Sequence, residues 1–366
     1  MKIGIPRERK ANEKRVGITP KGAARIVTLG HQVFLEKDAG LESGFLDQEY
    51  IDSGVTIENS LENLWCRSDL IMKVKEPAPE EYSFFRKDLI VYSFLHPAGS
   101  LELTQKILDG KIIGLDYDLI QTDDGQIPIL EPMSKIAGIL AVQCGTNYLF
   151  SQNEGKGILL DAIGPKTKGA RVLVVGGGVS GLSAALRAQS LGADVTILDI
   201  NENRLATIKK INPNLTLKLS NSSVISLELQ NADLIIGAVL IPGAKAPTII
   251  TKELMESVED RSVFVDISID QGGISETSRA TTLSDPTYVE SGVIHFCVPN
   301  MPAMVPKTAT IALTNQSLPW LLKILEKGLD AAIKDSLPIK KGIVCRNGVL
   351  TNKNIAESFA MHYEAI

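Results

Sequence analysis

Residues 171–181 read RVLVVGGGVSG, an apolar strand-length run that breaks into G-x-G-x-x-G. No other stretch constrains the fold as strongly. In this setting Gly176 permits a tight turn, Gly178 lets the backbone approach a pyrophosphate, and Gly181 lets the following helix pack close to the strand. Val179 opens a predicted helix running to Leu191, whose first N–H groups would face an anion. The next predicted strand, Asp194–Asp199, ends on an acidic residue 21 positions past Gly178. A carboxylate there can accept both hydroxyls of an adenosine ribose and repels a 2′-phosphate, which favours NAD over NADP. The same residues also suit a glycine-rich turn with no ligand, Asp199 or Asn201 simply capping the next helix.

The surroundings extend the alternation. A helix at Glu202–Ile211 and strands near 215–219, 232–237 and 262–267 continue the order of a doubly wound dinucleotide-binding domain. Before the motif, KIGIP, HQVFLEK, DLIMKVKEP, DLIVYSFL and KIIGLDY read as strands. Thr19-Pro20 starts a helix as N-cap and first helical residue, and Gly110 ends ELTQKILDG. The fold class is therefore α/β, with two doubly wound domains of mostly parallel sheet separated by a cleft, one of them a Rossmann NAD-binding domain. Helical patterns at 129–150 and beyond Met304 predict two crossings. The first domain would be discontinuous, 1–130 plus 305–366, and the nucleotide domain would be 131–304.

Composition removes other classes. The 366 residues carry 38 Lys+Arg against 43 Asp+Glu, a net charge of −5 with no basic stripe, which argues against a nucleic-acid partner. Four separated cysteines form neither a disulfide framework nor a zinc pattern, so no metal is expected. The charged N-terminus lacks an apolar signal region, and no run approaches the ~20 apolar residues of a membrane span. The expectation is a cytoplasmic enzyme with reduced thiols and no membrane partner.

Charged residues cluster where the first-domain strands end. Arg15 sits in NEKRVGITP, Lys73 and Lys75 share one face of IMKVKEP at i, i+2, and His96 closes IVYSFLHP. Strand C-terminal ends are where α/β sheets place chemistry. Arg clamps a carboxylate, Lys polarises a carbonyl, and His exchanges a proton near neutral pH. Lysines on an edge strand can equally serve solvation. In the second domain VDISIDQGG puts Asp270 at a Gly-Gly turn, near the expected nicotinamide end, or as a plain Asp-led turn. Asn300 and Met301 lie between two prolines as a stiff pocket wall, and Ser134 in EPMS can N-cap the helix after it.

These segments resemble the family shared by alanine dehydrogenases and the NAD-binding component of proton-translocating transhydrogenase. The likeness runs from residue 1 to about 360 through MKIGIPRE, ANEKRVGITP, LIMKVKEP, LEPMS, VVGGGVSG, GAVLIPGAKAP, VDISIDQGG and CVPNMP. The resemblance implies that Arg15 binds the substrate carboxylate, Lys75 the carbonyl oxygen or amine, and that His96 donates and accepts the proton. It implies that Asp270 completes the catalytic set. Ser134 would line the cleft, Asn300 and Met301 would border substrate and nicotinamide, and Leu240 through Gly243 would pass beneath the cofactor. It also implies a homohexamer that oxidises L-alanine to pyruvate and ammonia with NAD, and runs the reverse amination.

The chain departs from the family pattern at several places. His96-Pro97-Ala98-Gly99 replaces His-Leu-Ala-Ala, Asp118 replaces a Glu, and Ala303-Met304 replaces Gly-Ala. Pro97 and Met304 keep open the same reaction on another small amino acid. A hydride-carrying subunit like the transhydrogenase component is the other alternative, disfavoured by His96, Lys75 and Asp270.

Overall fold

The strand–helix alternation is present in the computed structural model, which describes residues 1–164, 167–240 and 245–366. The chain divides into two units, Met1–Met133 with Ala303–Ile366, and Ser134–Pro302.

The first unit is built on β1 (Lys2–Ile5), β2 (Gln32–Glu36), β3 (Thr56–Glu58), β4 (Leu70–Met72), β5 (Ile90–Ser93) and β6 (Ile113–Asp116). They pair in parallel in the order β3-β2-β1-β4-β5-β6. Two C-terminal strands, Ile343–Arg346 and Val349–Leu350, extend the β6 edge antiparallel. Strands β4, β5 and β6 are buried along their whole length, which explains their unbroken apolar runs. Both ends of the chain share one core, in which Leu64, Trp65, Val91 and Ile107 cluster with Val344, Leu350 and Ile355. Local signals set the helix starts. Thr19 Oγ1 accepts the Gly22 N–H at 3.1 Å with Pro20 in the first turn, and Ser100 caps the helix Leu101–Asp109.

The second unit contains β7 (Arg171–Val175), β8 (Asp194–Asp199), β9 (Thr216–Leu219), β10 (Leu234–Gly237), β11 (Val263–Asp266), β12 (Thr287–Glu290) and β13 (Val293–Phe296). Their order is β9-β8-β7-β10-β11-β13-β12, parallel except for β12. Each unit thus repeats the doubly wound pattern in which the first and fourth strands are central neighbours. The helix Glu131–Tyr148 approaches the start of the helix Val179–Ser190 so closely that a Cβ on Gly138 would lie 2.1 Å from the Ser180 carbonyl. Leu173, Leu198, Ile235 and Phe264 centre this unit's core.

Three local expectations need correction. The strand read through IMKVKEP stops at Met72, because the chain bends at Val74 and Lys75, so Lys73 and Lys75 do not share a strand face. Strand β5 ends at Ser93, three residues before His96. Ser134 does not cap a helix, since that helix already begins at Glu131. Among the described residues no helix is long and apolar enough to cross a membrane, and no cluster of His, Cys, Asp and Glu could hold a metal.

Candidate active site

In the first unit the charged residues follow the C-terminal ends of four adjacent strands. Glu8, Glu13 and Arg15 come after β1, Lys73, Lys75 and Glu76 after β4, His96 after β5, and Asp118 after β6. Parallel pairing sends all these chain exits to the same sheet edge, so residues distant in sequence meet there.

Arg15 is buried and already paired. Its Nε and Nη2 donate to the two oxygens of Glu13 at 2.7 and 2.6 Å, and its Nη1 donates to the Met133 sulfur at 3.2 Å. Glu13 thus fixes the guanidinium by one edge and directs the Nη1 side outward from the pair. Lys73 is fully buried, with its Nζ 2.9 and 3.0 Å from the Glu81 oxygens and 3.7 Å from Glu8. It is a structural ion-pair partner. Lys75, past the bend, is half-buried.

His96 has φ +43°, a left-handed conformation, and its carbonyl accepts the Gly99 N–H. Non-glycine residues in that region are uncommon and concentrate at functional positions. Its ring stacks on Phe94. Nε2 lies 2.8 Å from Asp118 Oδ2, a hydrogen bond, and Nδ1 lies 3.9 Å from Glu76 Oε2, an ion-pair distance only. Burial pulls the imidazole pKa down, but Asp118 and Glu76 outweigh it and push it up to about 10. Glu76 in turn is held well below the usual carboxylate range by His96 and by Lys10, 2.7 Å away, against the opposing effect of burial. Burial and the neighbouring Asp118 raise Asp116 to about 7. Its Oδ1 accepts the Asp118 N–H at 3.1 Å and so ties down the loop that carries Asp118.

The second unit offers mostly backbone. Gly176 has φ +103°, a Cβ on Gly181 would sit 1.8 Å from the Gly176 carbonyl, and a Cβ on Gly178 would meet nothing within 4 Å. Turn, close packing and open approach are therefore distributed among the three glycines as the motif requires. Gly178 is the N-cap of the helix and provides no side-chain cap, and exposed Val179 begins its first turn. The orphan N–H groups and the open space above Gly178 fit a pyrophosphate. Asp199 accepts the Gly177 N–H at 2.7 Å and the Asn201 N–H at 2.8 Å, while Asn201 caps the next helix. Arg204 donates to the Gly177 and Gly178 carbonyls at 2.5 and 3.3 Å, bracing the glycine turn from outside. Nothing in the sequence pattern singled it out.

Two aspartates on the loop after β11 have different positions. Asp266 is buried and accepts from the N–H groups of Ser268 and Ile274 and from the Ser278 hydroxyl, so it knots the loop. Asp270 is exposed, and its Oδ2 accepts the N–H of Asn300 at 3.0 Å, where Asn300 has φ +55°. Asp270 and Asn300 are thereby brought together after β11 and β13. Met301 is buried beside them in sequence, Ser134 is half-buried within its helix, and Leu240 is exposed after β10. Gly243 lies outside the described residues.

The family model described as "Alanine dehydrogenase/PNT, N-terminal domain" matches residues 4–137, and its "C-terminal domain" partner matches 141–353. An alanine dehydrogenase of Staphylococcus haemolyticus is 44% identical, with all of this chain and 98% of the relative covered. Alanine dehydrogenase 2 of Staphylococcus aureus (strain USA300) is 43% identical with the same coverage. A solved structure titled L-alanine dehydrogenase superposes with TM-score 0.93 at 40% identity, covering 98% of this chain and 99% of that one. A transhydrogenase structure from Sinorhizobium meliloti shares the fold, with TM-score 0.82 at 22% identity over 96% of this chain and 99% of that one.

Proposed function

The chain belongs to the alanine dehydrogenase/PNT family, and we propose how its residues divide the work of its reaction, the interconversion of L-alanine with pyruvate and ammonia. The observation that supports the assignment of roles is that Arg15, Lys75 and His96 follow the C-terminal ends of the neighbouring strands β1, β4 and β5.

The glycine turn 176–181 would hold the pyrophosphate of NAD and Asp199 its ribose, and the bound nucleotide would supply the acceptor or donor for the Cα hydride of alanine. Arg15, steadied by Glu13, receives the substrate carboxylate. Lys75 holds the carbonyl oxygen or the amine. Loss of the hydride leaves the imine of pyruvate, water adds to its carbon, and ammonia departs. His96 takes the proton from that water, and in the reverse direction returns it to the oxygen as water leaves. Asp118 engages Nε2, so Nδ1 is the nitrogen that exchanges the proton with substrate. Asp270, held against the Asn300 backbone, would border the nicotinamide with Asn300 and Met301, and Ser134 and Leu240 would line the path of the cofactor. On the family resemblance the chain works as a homohexamer.

The purified chain should reduce pyruvate with ammonia and NADH, with NADPH far poorer. Clear preference for a larger 2-oxo acid would move the substrate, as the departures at Pro97 and Met304 allow. Activity only in the presence of a membrane partner would reject the self-sufficient enzyme.

A further inference from the structure

The buried cluster of Glu8, Lys73 and Glu81 has no part in the roles assigned above. All three side chains are essentially inaccessible. Glu81 takes Lys73 Nζ with both oxygens and also accepts the Ala78 N–H at 2.7 Å, so its attachments are complete. Glu8 is different. Its Oε1 accepts the N–H of Val74 at 2.6 Å and its Oε2 accepts the N–H of Lys75 at 3.3 Å.

That pair of bonds falls just past the end of β4, where the Val74 carbonyl still accepts the Phe94 N–H at 3.0 Å. In an extended strand successive N–H groups point to opposite sides. The Lys73 N–H still points to β5 and donates to the Tyr92 carbonyl at 3.0 Å. The Val74 N–H points to the other side, towards β1, but β1 ends at Ile5 and offers no carbonyl there. Glu8, three residues past the end of β1, supplies a carboxylate in its place. The next N–H, of Lys75, meets the same carboxylate instead of turning back to β5, and the backbone bends at Val74 and Lys75. Lys73 Nζ, 3.7 Å from Glu8 Oε2, lies against the carboxylate from the other side.

We propose that Glu8 is a positioning residue for the reaction, which sets the direction in which Lys75 leaves the sheet by binding the Val74 and Lys75 amides. The proposal rests on the reading of Lys75 as a substrate-holding group. Burial raises the Glu8 pKa to about 7, Lys73 and the Val74 amide oppose this, and Glu13 and Glu81 add to it.

The test is a cycle of Glu8→Gln, Lys75→Ala and the double variant. Gln keeps the shape but turns an NH2 donor towards one of the two amides, so one bond is lost, while Lys73 retains Glu81. Two readouts are taken on the intact enzyme. Hydrogen exchange without ligands reports the Val74 and Lys75 amides. Pyruvate affinity in the non-reacting complex with NAD reports substrate holding even where turnover is lost. Glu8→Gln is expected to speed exchange at these two amides and to weaken pyruvate about tenfold. NAD affinity should be unchanged. In the Lys75→Ala background the same substitution should change pyruvate affinity less than about twofold. An equal loss in both backgrounds, or unaltered exchange at 74–75, overturns the positioning role. Unaltered pyruvate affinity in Lys75→Ala alone overturns the reading of Lys75 and the proposal built on it. Lost NAD affinity together with a lowered melting temperature in Glu8→Gln would assign Glu8 to general stability and likewise reject the proposal.

Discussion

The two units share a strand order and use the same sheet edge, yet they equip it with opposite materials. The second unit places backbone there: a glycine turn, a helix N-terminus and two N–H groups donating to Asp199. The first unit places buried and half-buried charges there, each restrained by a partner: Arg15 by Glu13, Lys73 by Glu81, His96 by Asp118. The phosphates and ribose of a nucleotide keep their charge through the reaction, so a fixed cradle of dipoles suits them. The substrate changes its charge and bonding during reaction, and only groups that hold or move charge can follow that. On the roles proposed above, one edge binds the nucleotide and the other carries the proton chemistry.

That division can be broken one side at a time. The largest effect is expected from His96→Ala, with turnover falling by about 10²–10⁴-fold while NADH affinity, measured by fluorescence titration, stays near the parent value. Arg15→Lys comes next. A lysine cannot reproduce the fork that Glu13 steadies, and pyruvate binding should weaken by about 1.5–3 kcal/mol, read as a rise in the pyruvate KM. Gly181→Ala should act on the other edge. Its Cβ would press on the Gly176 carbonyl, costing about 1–3 kcal/mol through displacement of the turn. NADH titration should show the loss, whereas Arg15→Lys should leave that titration unmoved. The smallest effect concerns stability. The folded-state pKa of His96 lies above its unfolded value, so its ion pair contributes fully below about 6.5 and the contribution fades as pH rises through about 10. His96 is half exposed, which keeps the contribution modest. Between about pH 7 and 10.5 the parent should lose slightly more melting temperature than Asp118→Asn.

The same contrast explains what could be read from the chain. The nucleotide cradle was legible because its requirements are local. Gly176, Gly178 and Gly181 are needed where a Cβ would strain a turn, block an approach or strike a carbonyl, and the spacing alone shows this. Strands β7 and β8 and the Thr19-Pro20 helix start were legible for the same reason. The first unit's edge was legible only residue by residue. Arg15, Lys75 and His96 could be picked out by type and by place after strands. Nothing in the sequence shows that Glu13 occupies one side of Arg15, or that Lys73 is buried against Glu81 rather than facing out with Lys75. Those pairings join chain segments that only the sheet brings together. Asp118 was visible as a departure from a family pattern, but its bond to His96 depends on β5 and β6 lying side by side. Ser134 misled because a serine before an apolar run looks like a cap, whereas Glu131-Pro132 already begins the helix.

The pH dependence of alanine oxidation tests most directly the proposed role of His96 as a proton carrier whose basicity is set by Asp118. Oxidation needs the neutral imidazole, so kcat/KM for alanine should climb with pH and level off near about 10 in the parent enzyme. In Asp118→Asn the plateau should be reached at lower pH, nearer the ordinary histidine value of about 6.5. A break that stays in place in Asp118→Asn, or that persists in His96→Ala, would contradict the assignment.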